Sequence, residues 1–300
     1  MAVLAAVALL AACTDGNTGG PCTVTQAAAF DITYQHGLLF VPVTINGGTY
    51  HALLDTGAER SAIADPLAKR LQLPEDNRHG TVMSGVGGMG KERQDVIVGQ
   101  FAFAGHDLGN NHYAIMDQPK LLTGVPDFAG LIGGDVLDDF DLDIDVPHRR
   151  LTAWRVHNCT GKFLPWTFPY TAIPLDVTWG HRPNLTVKVD GTKFRAFLDT
   201  GATATFLDSA AAARIGVNAA ALGKDPNGRA SGAAGVDFTS TVHKFSTLEI
   251  GPDIFANPHL TVLDRTLREA DMLLGEDYLR LRHVWLSYHS RQLFVAAPPH

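Results

Sequence analysis

Apolar and polar residues alternate along many short stretches of the chain, which is the pattern of β-strands that bury one face. The clearest cases are VPVTING (41–47) and LTVKVDGTKFRAFLD (185–199), which alternate around the dipeptides Asn46-Gly47 and Asp190-Gly191. These dipeptides accept the positive φ angles of a tight turn, so each stretch predicts a β-hairpin. Further strands are predicted at VIVGQFAF (96–103), DLDIDV (141–146), RLTAW (150–154), TLEIG (247–251), HVWLSYH (283–289) and RQLFVA (291–296).

Two short helices are predicted at DPLAKRLQL (65–73) and DSAAAARIG (208–216). Asp65 is the expected N-cap of the first, with Pro66 at the first helical position. Asp208 is the expected N-cap of the second, which should end at Gly216. Short strands, frequent turns and few helices predict a mainly β protein with small, mostly antiparallel lobes.

Two pairs of segments repeat in step along the chain. LLDTGA (53–58) recurs as FLDTGA (197–202), and LIGGDVL (131–137) recurs as LLGEDYL (273–279). This repetition predicts two related halves. The predicted organisation is a signal peptide at 1–13, a flexible tether at 14–32, an N-terminal lobe at 33–157, a linker at 158–172 and a C-terminal lobe at 173–300.

Composition and charge argue against several classes of function. Hydrophobic residues make up 45% of the chain, enough for a core in both halves. The net charge of −7 and the lack of a basic stripe argue against nucleic-acid binding. The 13 histidines form no HExxH motif and no close cluster with cysteine in the sequence, so no metal and no cofactor are expected.

Two other patterns have competing interpretations. Gly85–Lys91 (GVGGMGK) fits the start of a P-loop, but Glu92 stands where Ser or Thr would hold magnesium, which argues against nucleotide binding. The acidic run DDFDLDID (138–145) could suggest a calcium loop. Because its acids alternate with apolar residues, it predicts instead a half-buried strand with a solvated face.

The first 13 residues, MAVLAAVALLAAC, form an apolar run that is too short to span a bilayer and is typical of an export signal. The end of the run, Leu10-Ala11-Ala12-Cys13, resembles a bacterial lipobox, in which Cys13 would be lipidated and become the new N-terminus. No Lys or Arg precedes the run, so an ordinary secretory signal or a wrongly assigned start stays an alternative. The expected location is the periplasm or cell surface of a bacterium, as a lipoprotein. Export would favour a disulfide between Cys22 and Cys159.

The segments around the repeated motif, ALLDTGAERSAI (52–63) and AFLDTGATATFL (196–207), resemble the active-site segments of aspartic proteases, and particularly of retropepsin-like ones. The resemblance covers both halves of the chain. It implies two similar β lobes with short helices, a cleft between them, and one catalytic aspartate from each lobe, Asp55 and Asp199. A retroviral enzyme assembles this site from two identical chains, whereas this chain would supply both lobes itself and act as a monomer.

The resemblance also assigns supporting residues in pairs, one from each lobe. Those of the active-site loops are Thr56 and Thr200, which would cross-brace the loops, Gly57 and Gly201, which allow the tight turns, and Ala58 and Ala202. Those packed beneath the loops are Leu131-Ile132-Gly133 and Leu273-Leu274-Gly275, followed by Asp135 and Asp277, which we expect to be structural.

Glycine-rich hairpins that close over the substrate are a further feature of the family. SGVGGMG (84–90) and SGAAGV (231–236) match them. The expected flap residues are Ser84, Gly85, Gly87, Gly88, Ser231 and Gly232.

Proton chemistry explains why two copies are needed. Two carboxylates ~3 Å apart repel by about 5 kcal/mol at an effective dielectric constant of ~20, which is roughly four pK units, so the pair shares one proton. This splitting is known for aspartic-protease dyads. Pepsin-like enzymes often have a Ser or Thr where Ala58 and Ala202 stand, and its hydroxyl stabilises the ionised aspartate. Without that donor the pKa values should be higher, which predicts an optimum at about pH 5 to 6.5 rather than below ~4.

The expected function is that of an aspartic endopeptidase acting on peptide or protein substrates in extended conformation. The alternative is a peptide-binding lipoprotein of the same fold that does not cleave its ligand.

Overall fold

The structure is a computed structural model that describes residues 20–297, except 87 and 233–236. The predicted signal peptide with Cys13, and Gly87 of the first predicted flap, lie outside the described residues.

The first half of the chain consists of strands, two short α-helices and one 3-10 helix among the described residues. The strands are β1 (Thr23–Asp31), β2 (Thr33–Gln35), β3 (Leu38–Ile45), β4 (Gly48–Leu54), β5 (Ala62–Ala64), β6 (Glu75–Gly85), β7 (Gly88–Val98), β8 (Phe101–Phe103), β9 (His106–Asp107), β10 (Asn111–Met116), β11 (Phe128–Ile132), β12 (Asp141–Asp145) and β13 (Arg150–His157). The helices are α1 (Asp65–Arg70), the 3-10 helix (Lys120–Leu122) and α2 (Gly134–Leu137).

The second half likewise consists of strands and three short helices among the described residues. Its strands are β14 (Tyr170–Pro174), β15 (Asp176–Val177), β16 (Pro183–Val189), β17 (Thr192–Leu198), β18 (Phe206–Leu207), β19 (Asn227–Ser231), β20 (Asp237–Lys244), β21 (Thr247–Ile250), β22 (Asp253–Ala256), β23 (His259–Leu263), β24 (Met272–Leu274), β25 (His283–Ser287) and β26 (Gln292–Ala296). Its helices are α3 (Ser209–Arg214), α4 (Ala219–Leu222) and α5 (Glu276–Leu279).

Each lobe is built on one long sheet, and the two sheets have corresponding strand orders. The N-terminal sheet runs β6-β7-β10-β5-β11-β4-β3-β8-β9 with β2 beside β3, and the C-terminal sheet runs β19-β20-β23-β18-β24-β17-β16-β21-β22 with β15 beside β16. In both, the strand that enters the repeated Asp-Thr-Gly motif pairs in parallel with the strand of the downstream repeat. The prediction of two similar β lobes is therefore confirmed.

A third sheet joins the two halves in the order β1-β13-β12-β25-β26-β14. Strand β12 of the first half pairs with β25 of the second, with Leu142 opposite Leu286. Trp285 of β25 is fully buried and donates its Nε1–H to the Asp141 carboxylate at 3.0 Å. This shared sheet fixes the ends of both lobes to each other.

The tether expected at 14–32 and the linker expected at 158–172 are each wrong in part. Thr23–Asp31 forms β1, which pairs along its length with β13 and lies at the edge of the shared sheet. Tyr170 already belongs to β14 at the opposite edge. Neighbouring strands thus organise segments whose own sequence patterns are weak.

The disulfide expected between Cys22 and Cys159 is present, with an S–S distance of 2.07 Å. It connects the residue before β1 to the chain that follows β13. Beneath it lies a small apolar cluster, separate from the main core and formed by Val156, Cys159, Phe163, Trp285 and Phe294.

Three local predictions can be compared with the structure. Asp208 caps α3 by accepting from Ala211 N–H at 2.6 Å, and Gly216 has a φ of +82° just past the helix end, as expected. Asp65 as an N-cap is wrong, because Ala64 takes that position and the Asp65 carboxylate binds Lys69 and Arg93 instead.

The strand predicted at 96–103 is interrupted between β7 and β8. Gln100 bonds the hairpin turn at Asn46, donating its N–H to Asn46 Oδ1 and accepting from Asn46 N–H, both at 2.9 Å. The acidic strand β12 is formed as predicted, but its polar face is not simply solvated. Asp141 is buried, and Asp143 Oδ1 lies 2.6 Å from His283 Nε2.

Within the part of the chain that the structure describes, no helix has the length and apolar character needed to cross a bilayer.

Candidate active site

Parallel strand pairs position the two repeated aspartates. Strands β4 and β11 place Leu54 opposite Ile132, and the Asp55 N–H then donates to the Ile132 carbonyl at 3.0 Å. The second lobe repeats this arrangement, because the Asp199 N–H donates to the Leu274 carbonyl at 3.0 Å. Each aspartate therefore starts a loop that is held at the end of a buried strand.

The two loops meet through their threonines. Thr56 N–H donates to Thr200 Oγ1 and Thr200 N–H donates to Thr56 Oγ1, both at 3.1 Å. Each hydroxyl in turn donates across the interface, Thr56 to the Leu198 carbonyl and Thr200 to the Leu54 carbonyl. Both threonines are fully buried, so this cross-brace is shielded from water.

Glycine follows each threonine because the carboxyl group of the other lobe occupies the adjacent space. A Cβ built on Gly57 would lie 2.4 Å from Asp199 Cγ, and one on Gly201 would lie 2.5 Å from Asp55 Cγ. These distances are far inside van der Waals contact, so any side chain here would displace an aspartate. The structure thus brings Asp55 and Asp199 together where the loops of the two lobes meet.

Burial and mutual repulsion shape the titration of the pair. Burial raises the pKa of Asp55 well above its ordinary value, and the nearby charge of Asp199 raises it further. Burial also raises the pKa of Asp199, to about 6, although the Gly201 N–H stabilises its ionised form. Asp55 Oδ1 accepts from the N–H groups of Gly57 and Ala58, each at 3.0 Å. The pair therefore retains a proton at pH values where an exposed carboxyl has lost it.

The apolar-apolar-Gly elements lie directly beneath the loops. A Cβ on Gly133 would lie 2.8 Å from the Arg60 carbonyl carbon, and one on Gly275 would lie 2.3 Å from the Ala204 carbonyl oxygen. The backbone N–H groups of Gly134 and Glu276 reach back to the carbonyls of the loop alanines, Ala58 and Ala202, at 2.9 and 2.8 Å. The chain that follows each aspartate can pack this closely against the downstream repeat only because Gly133 and Gly275 have no side chain.

Two hydroxyl residues that sequence reasoning missed complete this support. Ser61 Oγ and Thr205 Oγ1 accept from Gly133 and Gly275 N–H, at 3.0 and 3.3 Å. They donate to carboxylates of the downstream repeat, Ser61 to Asp135 at 2.7 Å and Thr205 to Asp277 at 2.6 Å. Ser61 and Thr205 each stand six positions after the aspartate of their motif (61 − 55 and 205 − 199), so this repeated spacing could have identified them from the sequence. Asp135 and Asp277 thus anchor the loops and do not enter the dyad.

The first predicted flap is the hairpin of β6 and β7, where Ser84 lies opposite Met89 and Gly85 opposite Gly88. At its tip, Val86 packs against an apolar cluster of the other lobe formed by Phe197, Ala202, Phe206, Phe238, Leu263 and Leu273. The Val86 carbonyl also accepts from Arg265 Nη1 at 3.4 Å. The hairpin tip therefore reaches from one lobe to the other.

The second predicted flap coincides with the hairpin of β19 and β20. The backbone of Ser231 ends β19 opposite Asp237, and Gly232 follows it. The intervening residues 233–236 lie outside the described residues.

Arg182 is a charged residue near the dyad that sequence reasoning also missed. Its guanidinium pairs with Glu59 of the first lobe at 2.8 Å and with Glu269 at 2.5 Å, and it lies 4.4 Å from the centroid of the Phe197 ring. Its positive charge counteracts part of the rise that burial causes in the pKa of Asp199. The contact with Glu59 depends on the packing of two distant segments, which no local pattern predicts.

Two family models and one solved structure are similar to parts of this chain. Residues 41–136 match a family model described as "Aspartyl protease", and residues 185–281 match one described as "gag-polyprotein putative aspartyl protease". The chain is also similar to the crystal structure of a retropepsin-like aspartic protease from Rickettsia conorii, with 19% sequence identity, a TM-score of 0.35, and coverage of 44% of this chain and 96% of that one. A comparison with curated proteins gives no significant match.

Each half of the chain thus matches an aspartyl protease family and contributes one Asp-Thr-Gly loop to a shared site. The chain belongs to the aspartyl protease family, with both lobes in one polypeptide.

Proposed function

We propose that the protein is an aspartic endopeptidase that hydrolyses peptide bonds with a water molecule activated by Asp55 and Asp199. The observation that carries this proposal is the placement of the two buried carboxyls, each packed against the glycine of the other lobe's loop. Two acids in this position share one proton and so provide a base and an acid at the same point.

The chemistry follows from that shared proton. The ionised carboxylate removes a proton from the water as its oxygen attacks the peptide carbonyl carbon, while the protonated carboxyl donates its proton to the carbonyl oxygen. The carboxyl that took the water proton then donates it to the leaving nitrogen as the C–N bond of the tetrahedral diol breaks. One diol hydroxyl gives its proton to the other carboxylate as the product acid forms, so the dyad is restored in its singly protonated state.

The first hairpin supports a substrate held in extended form. Strands β6 and β7 reach the C-terminal lobe at Val86, next to the apolar cluster that includes Phe197 and Ala202. A peptide lying between the hairpin and this surface would pair its backbone with strand edges and place alternate side chains on apolar surface. Both active-site loops come from the same polypeptide, so we propose a monomer.

We also propose that the protein is exported and anchored to a membrane through lipid on Cys13. The Cys22–Cys159 disulfide supports export, because such bonds persist in oxidising compartments. Labelling of the full chain with radioactive fatty acid in a bacterial host tests the anchor. Label on the wild type and its loss in Cys13→Ala are expected, whereas label that persists in the variant overturns the anchor.

A peptide-cleavage assay tests the activity. The mature protein, Asp55→Asn and a surface control, Asp107→Asn, are each incubated with a diverse peptide mixture from pH 3 to 8, with and without a statine-type inhibitor. Cleavage by the wild type and the control that is absent in Asp55→Asn and blocked by the inhibitor is the expected result. Intact peptides at every pH, with peptide retained on the protein, would instead indicate a binding protein.

A further inference from the structure

Three side chains that can bind a metal ion meet at the base of the first hairpin, and none of them belongs to the active-site loops. Asp76 lies near the start of β6, His79 lies three residues later in the same strand, and His112 lies in β10. One ligating atom from each residue falls within 4.8 Å of the other two. No local sequence pattern indicates this cluster, because His112 comes from a distant segment.

A bulge in β6 creates the cluster. The pairing of β6 with β7 jumps from Asp76 opposite Asp95 to Gly80 opposite Gln94. Residues 77–79 therefore have no paired residue in β7, and they form an exposed bulge. With its amide nitrogen facing the bulge, Gln94 donates to the carbonyls of Asp76 and His79, both at 2.9 Å. Hydrogen bonds from the Gln94 side chain therefore hold the backbone of His79 in place, and His79 does not lie in a free loop.

The two imidazoles are brought together by the same bulge. The rings of His79 and His112 stack with centroids 4.2 Å apart and planes 3° from parallel. His79 Nδ1 lies 2.5 Å from Asp76 Oδ2. One nitrogen of each imidazole and one carboxylate oxygen thus lie within 4.8 Å of one another from two different strands, and rotation of the half-exposed His79 ring out of the stack would let both imidazoles point at one ion.

The charge of the carboxylate is suited to a cation. The backbone N–H of Arg78 donates to Asp76 Oδ1 at 3.0 Å, which orients the carboxylate. Asp76 is only 5% exposed, whereas half of the His79 side chain is open to solvent. The site thus combines an oriented carboxylate with an open side through which an ion and its water ligands can enter.

We propose that Asp76, His79 and His112 bind a divalent transition-metal ion of the Zn²⁺ class. Two imidazoles and one carboxylate form a donor set that suits Zn²⁺ and its first-row neighbours, with the open side left for water. Because its ligands come from β6 and β10, which flank β7 in the sheet, the ion ties the base of the first hairpin to the body of the lobe.

The second lobe provides a matched control. Asp225 stands just before β19, the counterpart of β6, and its Oδ2 lies 2.6 Å from His243 Nδ1 of β20. Among the described residues no third ligand joins this pair, since the cluster at Asp76 alone gathers three. His243→Ala therefore removes an Asp-paired histidine at the corresponding place without touching the proposed site.

Direct metal titration tests the proposal independently of peptide cleavage. The mature protein, freed of metal with a chelator, is titrated with Zn²⁺ in competition with a chromophoric chelator at pH 7.5, and with Co²⁺ while visible absorption is recorded. We expect one tight equivalent in the wild type and in His243→Ala. His79→Ala and His112→Ala should each weaken binding at least tenfold and lose the Co²⁺ bands.

Thermal unfolding completes the test. Zn²⁺ should raise the unfolding temperature of the wild type and of His243→Ala but not that of either ligand variant. His112→Gln, which keeps a polar side chain of similar reach, separates loss of a ligand from loss of the fold. Equal Zn²⁺ affinity in the wild type and in properly folded His79→Ala and His112→Ala, or no stoichiometric binding to the wild type, would overturn the proposal.

Discussion

Thr56 and Thr200 each donate a backbone N–H to the other's hydroxyl oxygen at 3.1 Å, and each hydroxyl donates to a carbonyl of the opposite lobe. Four buried hydrogen bonds thus join the two loops at the point where the aspartates meet. The two halves of the site are positioned by each other and not by their own lobes alone.

Removal of one hydroxyl should therefore destabilise the whole protein. Thr200→Val leaves the Thr56 N–H and the Leu54 carbonyl buried without the partner that they have in the wild type, at about 1–3 kcal/mol each, so we expect a loss of about 2–6 kcal/mol in the free energy of unfolding. Urea unfolding measures this loss. Thr200→Ser, which keeps the hydroxyl, should recover most of it, and a Thr200→Val variant as stable as the wild type would contradict the role of the cross-brace.

Asp199 should make the protein less stable as the pH rises. Its pKa is raised by burial to about 6, so between pH 4 and 6 the folded state binds more protons than the unfolded state, and the free energy of unfolding falls with increasing pH. Asp199→Asn does not titrate. Relative to the wild type it should gain stability between pH 4 and pH 7, on the order of a few kcal/mol, because the amide also removes the charge that raises the pKa of Asp55. Urea midpoints of the two proteins that differ equally at pH 4 and pH 7 would refute this assignment.

The same pKa determines the expected rate profile. The singly protonated pair forms as the first of two protons is lost, and the pKa of Asp199 is raised to about 6, so kcat/KM should rise with pH through about pH 6 and reach its optimum at or above the upper end of the range expected from the sequence. It should fall again when the pair loses the shared proton. A rate that is still increasing as the pH is lowered to 3 would contradict this profile.

Ala58 and Ala202 give a way to shift the profile. A serine hydroxyl at either position would donate to an ionised aspartate and lower its pKa, so Ala58→Ser and Ala202→Ser should move the rising limb of kcat/KM to lower pH. Ala202→Gly adds no donor and should leave the limb in place. A limb that moves equally in the serine and glycine variants would show that the hydroxyl is not the cause.

The disulfide should stabilise the edge of the shared sheet. Cys22 and Cys159 are separated by 137 positions, and their bond ties β1 to the end of β13. The Cys22→Ser/Cys159→Ser double variant should lose about 2–5 kcal/mol in the free energy of unfolding, measured in urea. Reductant should lower the wild type to the same level and leave the double variant unchanged. Two reactive thiols from Cys22 and Cys159 in the denatured, unreduced wild type would contradict this bond.

Local signals in the sequence predicted much of the fold. The duplicated motif indicated two lobes, and short-range chemistry at Asp208 and Gly216 fixed the limits of α3. Asp65 shows where such rules fail, because a distant partner, Arg93, competes for its carboxylate.

Features that depend on distant segments could not be predicted. Strand β1 has a weak pattern of its own and is defined by its pairing with β13. Arg182 meets Glu59 only once the lobes have packed, and His112 meets His79 only after β6 has formed its bulge. Sequence repetition therefore identified the centre of the site, while the groups that surround it were determined by tertiary structure.

The central claim is that Asp55 and Asp199 act as one dyad within one chain. It is tested most directly by measuring kcat/KM on a single cleavable peptide for the wild type, Asp55→Asn, Asp199→Asn and an equimolar mixture of the two variants. Both variants should lose at least about 10³-fold, because each lacks either the base or the acid, and mixing should restore nothing. Near wild-type activity in either variant, or recovery on mixing, would contradict the account.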